Sequence, residues 1–172
     1  MLAERKDIER IDATLSVVFE KTDSAMYGDA VLDITKEGDL HLKVYTLGIL
    51  GMDLLAKDGV VRSKPNLDSS RKMILTQGLR NSLFWWDMQE YSVRDEGDYV
   101  IMQNATRAVW LDRKTMLPKR QRVDFDDGKQ LIVLYDNPAR EKDIWYQSKM
   151  RIELSRYSVT LTVKEISFLK SI

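Results

Sequence analysis

The chain has 172 residues, of which 44% are hydrophobic and 31% charged, so one domain spanning residues 1–172 with a substantial core is expected. Lysine and arginine together number 27, and so do aspartate and glutamate; this zero net charge argues against a dedicated nucleic-acid binder. The absence of cysteine excludes disulfides, thiolate metal sites and cysteine nucleophiles.

The start of the chain does not read as an export signal, because no apolar stretch follows the charged residues 4–6. No apolar run elsewhere reaches the roughly 18 residues that a membrane helix needs. Two interpretations stay open: a cytoplasmic protein, or an exported protein whose leader is missing from this sequence.

The N-terminal half predicts a meander of short strands after a leading helix over residues 3–10. Apolar and polar residues alternate over residues 11–19, 29–35 and 40–45, as in strands with one buried face. Acidic-Gly pairs supply the positive φ that tight hairpins require. These pairs are Glu37-Gly38, Asp58-Gly59, Glu96-Gly97 and Asp127-Gly128.

The apolar segment 46–51, which contains two glycines, departs from this alternation and is predicted as a loop between strands. Folded inward, Leu47, Ile49 and Leu50 would join the core. Exposed, the same residues would mark a contact with a membrane or a partner.

One amphipathic helix is predicted over residues 69–87, with Asp68 or Ser69 as its cap. Four of its apolar residues recur at helical spacing on one stripe: Leu75, Leu79, Leu83 and Trp86. A single helix inserted in an antiparallel sheet is expected to cover the apolar concave face.

Strand patterns resume over residues 91–135, and a polar loop around Pro138 separates them from a last hairpin over residues 149–166. The total is roughly ten or eleven strands. The predicted fold class is therefore mainly β (α+β): a single antiparallel curved sheet, or half-barrel, with helices covering its concave face. Its inward-facing residues include Leu15, Val17, Leu32, Leu42 and Val44.

No catalytic or metal-binding constellation stands out in the sequence. The only histidine, His41, alternates with apolar residues and is expected on the outer face of the sheet. The acidic stretch at residues 124–128 lacks the glutamate that a calcium loop needs at its twelfth position, where Tyr135 stands. We therefore expect a non-enzymatic protein without a metal or cofactor.

A basic cluster surrounds the turn before Pro118 and comprises Arg113, Lys114, Lys119, Arg120 and Arg122. It is interpreted either as the charged face of a solvated hairpin or as a docking patch for anionic headgroups or an acidic partner. Asp112, Asp124 and Asp126 dilute its field and favour the first alternative.

The predicted interior also allows two interpretations. Trp85, Trp86 and the eight methionines suit an ordinary packed core, but a methionine-rich aromatic interior also adapts to varied apolar ligands. If one helix covers a wide sheet incompletely, a cavity remains.

The order of these segments resembles the LolA/LolB-like superfamily of bacterial lipoprotein carriers and receptors, particularly its LolB-like outer-membrane members. Residues 47–54 are similar to the loop after the third strand of LolB-like proteins. Residues 109–113, followed by Leu117 and Pro118, are similar to a strand and turn of related periplasmic carriers. The resemblance covers nearly the whole chain.

The resemblance implies a half-barrel whose apolar cavity accepts acyl chains of lipoproteins or other lipids. The helical stripe named above would form the lid, the inward strand residues the floor, and Leu47, Ile49 and Leu50 the membrane-transfer loop. Expected partners are a periplasmic carrier or a membrane surface. The implied location is the periplasm or the periplasmic face of the outer membrane, assuming that an export signal is missing here. The alternative is a periplasmic interaction or sensor module with a solid core.

Overall fold

The computed structural model describes residues 2–171, and its main feature is one antiparallel sheet of twelve strands. The strands are β1 (Ile8–Lys21), β2 (Ser24–Thr35), β3 (Leu40–Thr46), β4 (Ile49–Lys57), β5 (Val60–Lys64), β6 (Ser92–Glu96), β7 (Tyr99–Gln103), β8 (Arg107–Asp112), β9 (Pro118–Asp124), β10 (Gln130–Glu141), β11 (Ile144–Leu154) and β12 (Tyr157–Lys170).

The sheet is an open half-barrel built from two meanders. Its strand order is β5-β4-β3-β2-β1-β12-β11-β10-β9-β8-β7-β6, so the first and last strands pair at the centre and the edges β5 and β6 stay apart. This arrangement confirms the mainly β half-barrel predicted from the alternation, with one or two strands more than expected.

One helical segment crosses the concave face, and we call it the covering helix. It consists of α1 (Ser69–Met73), a π-helical turn (Ile74–Gly78) and α2 (Leu79–Leu83). Asp68 caps it, because the Asp68 carboxylate accepts a hydrogen bond from the backbone N–H of Arg71 over 2.8 Å. The helix ends at Leu83 rather than near residue 87, because Phe84 leaves the helical conformation.

Two connections predicted as loops are hairpins instead. Residues 46–51 form a two-residue turn at Leu47-Gly48 between β3 and β4, and both turn residues have positive φ, as a type I′ hairpin requires. Pro138 lies inside β10, opposite Gln147 of β11. A proline is tolerated there because β10 pairs with β9 only over Gln130–Leu134, which leaves the other side of the strand free of ladder bonds.

The predicted leading helix over residues 3–10 is wrong beyond its first turn. Only Ala3–Arg5 form a short 3₁₀ helix, and β1 already begins at Ile8. Ile8 and Ile11 are both buried because a β-bulge shifts the register between them, which hides the strand alternation in the sequence.

The sheet splits between β11 and β12. These strands pair only from Lys149 opposite Thr162 to Leu154 opposite Tyr157. Beyond that point residues 144–148 pair with β10 alone and residues 163–170 with β1 alone. Lys164 has no partner in the β1–β12 register and therefore forms a β-bulge, which bends β12 at this point. We call the resulting opening the fissure.

Candidate functional site

The concave face and the covering helix form one continuous apolar core. All the residues predicted as lid or floor are buried in it: Leu75, Leu79, Leu83 and Trp86 on the helical side, and Leu15, Val17, Leu32, Leu42 and Val44 on the sheet. The cross-strand register explains why the floor residues lie together: Leu32 stands opposite Ala13 of β1 and Leu42 of β3, so all three side chains share one face of the sheet.

Gly78 sets how closely the covering helix approaches the sheet. A Cβ atom at this position would lie 3.1 Å from Cγ2 of Ile152 and 3.4 Å from Cδ1 of Leu131. Since ordinary carbon contacts lie at roughly 3.5–4.0 Å, any side chain larger than hydrogen would press against the floor.

The space left between the end of the covering helix and the sheet is small. A cavity of about 20 Å³ lies beneath the end of the covering helix, and its walls include Leu83, Trp86, Tyr146, Gln147 and Phe168. This volume suits roughly one water molecule. This cavity therefore has no room for an acyl chain in the conformation seen here.

A buried polar cluster, which the sequence analysis missed, fastens the end of the covering helix to the sheet. Arg107 donates to Oε1 of Gln121 over 2.7 and 3.1 Å and to the carbonyl oxygen of Asp87 over 2.8 Å. The Tyr135 hydroxyl donates to the carbonyl oxygen of Ser82 over 3.0 Å. We call Arg107, Gln121 and Tyr135 the latch. It supplies partners for carbonyl groups that a helix end leaves unpaired.

Burial shapes the electrostatics of the latch. Desolvation, followed by the neighbouring Arg80 charge, lowers the pKa of Arg107 to about 10, so the guanidinium stays protonated at neutral pH. Desolvation also raises the pKa of Tyr135 well above its usual value, which keeps the phenol a hydrogen-bond donor. The latch is therefore a structural cluster with no group poised to exchange a proton near neutral pH.

The start of the covering helix is held nearer the surface. The Tyr157 hydroxyl donates to the Asp68 carboxylate over 2.9 Å, and the Arg71 guanidinium lies 5.8 Å above the Phe19 ring. Beside these contacts an apolar groove of about 230 Å³ opens to solvent. Its walls include Phe19, Met26, Gly51, Met52, Leu67 and Arg71.

The β3–β4 hairpin projects apolar side chains next to this groove. Leu47 is 97% exposed, Ile49 74% and Leu50 48%, and the groove residues Gly51 and Met52 follow them directly in β4. Leu47 has φ 51°, a left-handed conformation that costs a leucine roughly 1–2 kcal/mol. The fold gains no burial from Leu47 in return.

The basic cluster lies on the β8–β9 hairpin and is partly neutralised. Arg113 pairs with Asp95 over 2.8 Å and Arg122 with Asp124 over 3.4 Å. Arg120 stacks on Trp110, with its guanidinium carbon 4.9 Å from the ring centroid. No ion pair within residues 2–171 involves Lys114, Lys119 or Arg120.

The described part of the chain contains neither a membrane-spanning helix nor a cluster of metal-binding side chains. None of its helices has the length and apolar character needed to cross a membrane. Nor do its His, Asp and Glu residues form a group of three or more that could hold a metal ion. His41 instead lies 2.6 Å from the Asp53 carboxylate, on the outer face as predicted.

Comparison with known proteins identifies the fold. No protein-family model and no curated protein sequence matches this chain, but solved structures do. A LolA superfamily protein from Nitrosomonas europaea superimposes with a TM-score of 0.63 at 9% identity, covering 99% of this chain and 93% of that one.

Two further structures agree. A DUF1329 family protein from Desulfovibrio piger has a TM-score of 0.60 at 10% identity, over 97% of this chain and 88% of that one. A Vibrio parahaemolyticus domain named for outer-membrane lipoprotein sorting has a TM-score of 0.59 at 14% identity, over 99% and 89%. The chain therefore has the LolA-like fold, which confirms the resemblance drawn from the order of its segments.

Proposed function

We propose that this chain is a single lipid-binding domain that holds acyl chains of lipoproteins or other lipids between the covering helix and the sheet, without catalysis. The observation that carries the proposal is an apolar helix lying across an open half-barrel, with an apolar groove at its exposed end. The lipoprotein-sorting name of the Vibrio neighbour supports the same ligand class.

Binding requires the covering helix to move, because the cavity of about 20 Å³ is too small for a chain. We place the opening at the start of the helix, where the holding contacts are near the surface, and the hinge at the latch. Burial of each CH₂ group contributes about 0.8 kcal/mol, so one acyl chain supplies several kcal/mol towards this opening.

The exposed β3–β4 hairpin would transfer the ligand at a membrane. Leu47, Ile49 and Leu50 can enter the apolar boundary of a bilayer, and the groove beside them then faces the membrane. The proposed location is the periplasm or the periplasmic face of the outer membrane. A periplasmic carrier or the membrane itself would be the partner.

The basic cluster is a secondary contact in this proposal. Lys114, Lys119 and Arg120 retain charge that anionic headgroups attract, each by about 1 kcal/mol near a charged membrane surface. Arg113 and Arg122 would contribute less, since carboxylates already neutralise them.

A reversible lock tests whether ligand enters beneath the covering helix. The close approach of Gly78 to Ile152 suits a disulfide between Gly78→Cys and Ile152→Cys, and the natural chain has no competing cysteine. We expect the reduced double variant to take up a fluorescent fatty-acid probe and the oxidised form to lose most of that uptake. Equal uptake by both forms contradicts entry beneath the helix. The two single-cysteine variants are the controls.

The small closed cavity favours one alternative: an interaction or sensor module with a solid core. Native mass spectrometry separates the two, because a lipid carrier purified gently retains acylated ligands that extraction identifies. A clean unliganded mass, with no uptake of added lipid by the wild-type chain, supports the module.

A further inference from the structure

The fissure joins the surface of the half-barrel to its interior. Outside, a cleft of about 380 Å³ lies between residues 141–144 and residues 167–170. Inside lies the cavity of about 20 Å³ beneath Trp86. Phe168 lines both spaces, and its ring meets Tyr146 edge-on with centroids 5.9 Å apart. Two aromatic side chains thus separate the cleft from the cavity.

Two walls of the inner cavity carry buried polar atoms that have no hydrogen-bond partner among the described residues. They are Nε1 of Trp86 and Oε1 of Gln147. The Gln147 amide cannot rotate to hide its oxygen, because Nε2 donates to the carbonyl oxygen of Pro118 over 2.9 Å. A buried polar group without a partner is costly, so these atoms suit a polar ligand group.

Arg5 adds a buried positive charge beside Trp85 and Trp86, two residues in the wall of the inner cavity. It is 3% exposed, and its guanidinium carbon lies 5.2 Å from the Trp85 ring and 5.4 Å from the Trp86 ring. Its Nη2 donates to the carbonyl oxygen of Trp145, in the part of β11 that borders the fissure.

The remaining donors of Arg5 are unused. Within residues 2–171, Nε and Nη1 have no hydrogen-bond partner and no ion pair includes Arg5. Burial lowers the pKa of Arg5 to about 10, opposed by the nearby Glu4 charge, so the side chain stays cationic at neutral pH. A buried cation with unused N–H groups and no carboxylate within ion-pair distance is costly, and a bound oxyanion reduces that cost.

We propose that the fissure is a headgroup site, in which an oxyanion, carboxylate or phosphate, at the end of a single acyl chain binds Arg5 and Trp86. The inference rests on the proposed function, because the chain of such an amphiphile would lie between the covering helix and the sheet. The unused N–H groups of Arg5 and Trp86 donate to the oxyanion. Oε1 of Gln147 accepts from a hydroxyl group on the same head or from water in the cavity.

This site makes the protein selective for anionic amphiphiles over neutral ones of equal chain length. An ester or alcohol head offers Arg5 no negatively charged acceptor, whereas a carboxylate or phosphate accepts charge-assisted hydrogen bonds from it. No ladder bonds join β11 and β12 at the fissure, so its opening separates the Tyr146 and Phe168 rings without breaking the sheet.

Calorimetric titration with three probes of one chain length tests the proposal: tetradecanoate, monotetradecanoylglycerol phosphate and methyl tetradecanoate. We expect at least one anionic probe to bind about tenfold or more tightly than the ester, as expected for a charge-assisted hydrogen bond. Preference for the phosphate alone identifies a phospholipid head, and preference for both extends the site to free fatty acids.

Two variants test whether Arg5 and Trp86 cause the preference for anionic probes. Arg5→Gln removes the charge, and Trp86→Phe removes the indole N–H while keeping an aromatic ring. Each is expected to weaken binding of the two anionic probes more than binding of the ester, so that the preference for an anionic head falls. Trp86→Phe keeps the test decisive if Arg5→Gln fails to fold, which thermal unfolding reveals.

The outcomes separate this inference from the proposed function. If none of the three probes binds the wild-type chain, the proposed function fails. If all three bind with equal affinity, or if the variants weaken ester and anion alike, the proposed function stands and the headgroup site is overturned.

Discussion

Nε2 of Gln121 in β9 donates to the carbonyl oxygen of Asn81 over 2.8 Å, which ties the floor of the half-barrel to the end of the covering helix. The same nitrogen donates to the Tyr135 hydroxyl over 2.9 Å, and Oε1 accepts two bonds from Arg107. Every hydrogen-bonding position of this buried amide is therefore used, so the helix end has one defined place on the sheet.

The latch predicts a large cost for Gln121→Leu. The leucine has a similar volume, but it removes two hydrogen bonds of the buried Arg107 and leaves the Asn81 carbonyl group without its Gln121 donor. We expect a loss of about 3 kcal/mol in the free energy of unfolding. Urea unfolding measures the loss, and hydrogen exchange should rise first over residues 79–88. Gln130→Leu, at an exposed position in β10, is the control and should change stability by less than about 0.5 kcal/mol.

A single substitution in the β3–β4 hairpin is expected to raise the stability of the fold and to weaken its binding to membranes. Leu47 occupies a left-handed turn position that asparagine favours, so Leu47→Asn should raise the free energy of unfolding by about 1 kcal/mol. The same change removes an exposed leucine, whose burial in a bilayer contributes roughly 1.5–3 kcal/mol. Flotation with lipid vesicles should show binding weakened by about tenfold.

The control for the hairpin is Val60→Asn. Val60 is also exposed and apolar, but it follows the Asp58-Gly59 turn at the other end of β4. We expect it to leave vesicle binding unchanged. Equal loss in both variants, or none in Leu47→Asn, contradicts a specific membrane contact at the β3–β4 hairpin.

The sequence predicted the parts of this fold that local patterns determine. Strand alternation and Asp-Gly turns identified the meander, and helical spacing identified Leu75, Leu79 and Leu83, because burial on one face leaves a direct periodic trace. The bulge between Ile8 and Ile11 left no such trace, so β1 was predicted to begin too late.

No local sequence pattern predicts the latch, because its hydrogen bonds join residues far apart in the chain. Gln121 contacts Asn81 across 40 positions, and Tyr135 contacts Ser82 across 53. One signal was present: Gln121 shares the inward face of β9 with Val123, and a polar residue at an inward position needs a buried partner. Its identity depended on where the covering helix lies.

Gly78 predicts that the packing of the covering helix is tight enough to be disturbed by one side chain. Gly78→Val would press on Ile152 and Leu131, and we expect a loss of about 2 kcal/mol in the free energy of unfolding. Stopped-flow measurement should also show faster association of a fatty-acid probe, because the displaced helix opens more often.

The matched control is Gln77→Val, which places the same β-branched residue at the exposed neighbouring position. Its expected cost is about 0.5 kcal/mol from helix propensity alone, with no change in the association rate. If the two variants behave alike, the close approach of helix and sheet at Gly78 does not control opening.

Asp68 predicts how the start of the covering helix responds to acid. The hydrogen bond from the Arg71 backbone N–H, aided by the Tyr157 hydroxyl and the Arg71 charge, lowers the pKa of Asp68 below its ordinary value of 3.8. Because the folded-state pKa is the lower one, the ionised carboxylate stabilises the fold above the ordinary value, and this contribution is lost as the pH falls through the folded-state pKa.

Asp68→Ala should therefore cost about 1 kcal/mol at neutral pH, the usual contribution of a helix cap, and less in acid. Asp68→Asn keeps a side-chain oxygen for the Arg71 N–H, so it should retain most of the stability while losing its pH dependence. Urea unfolding of the three proteins, at neutral pH and below pH 3.8, measures both effects. A cost for Asp68→Ala that stays constant with pH would show that the carboxylate charge does not stabilise this end of the helix.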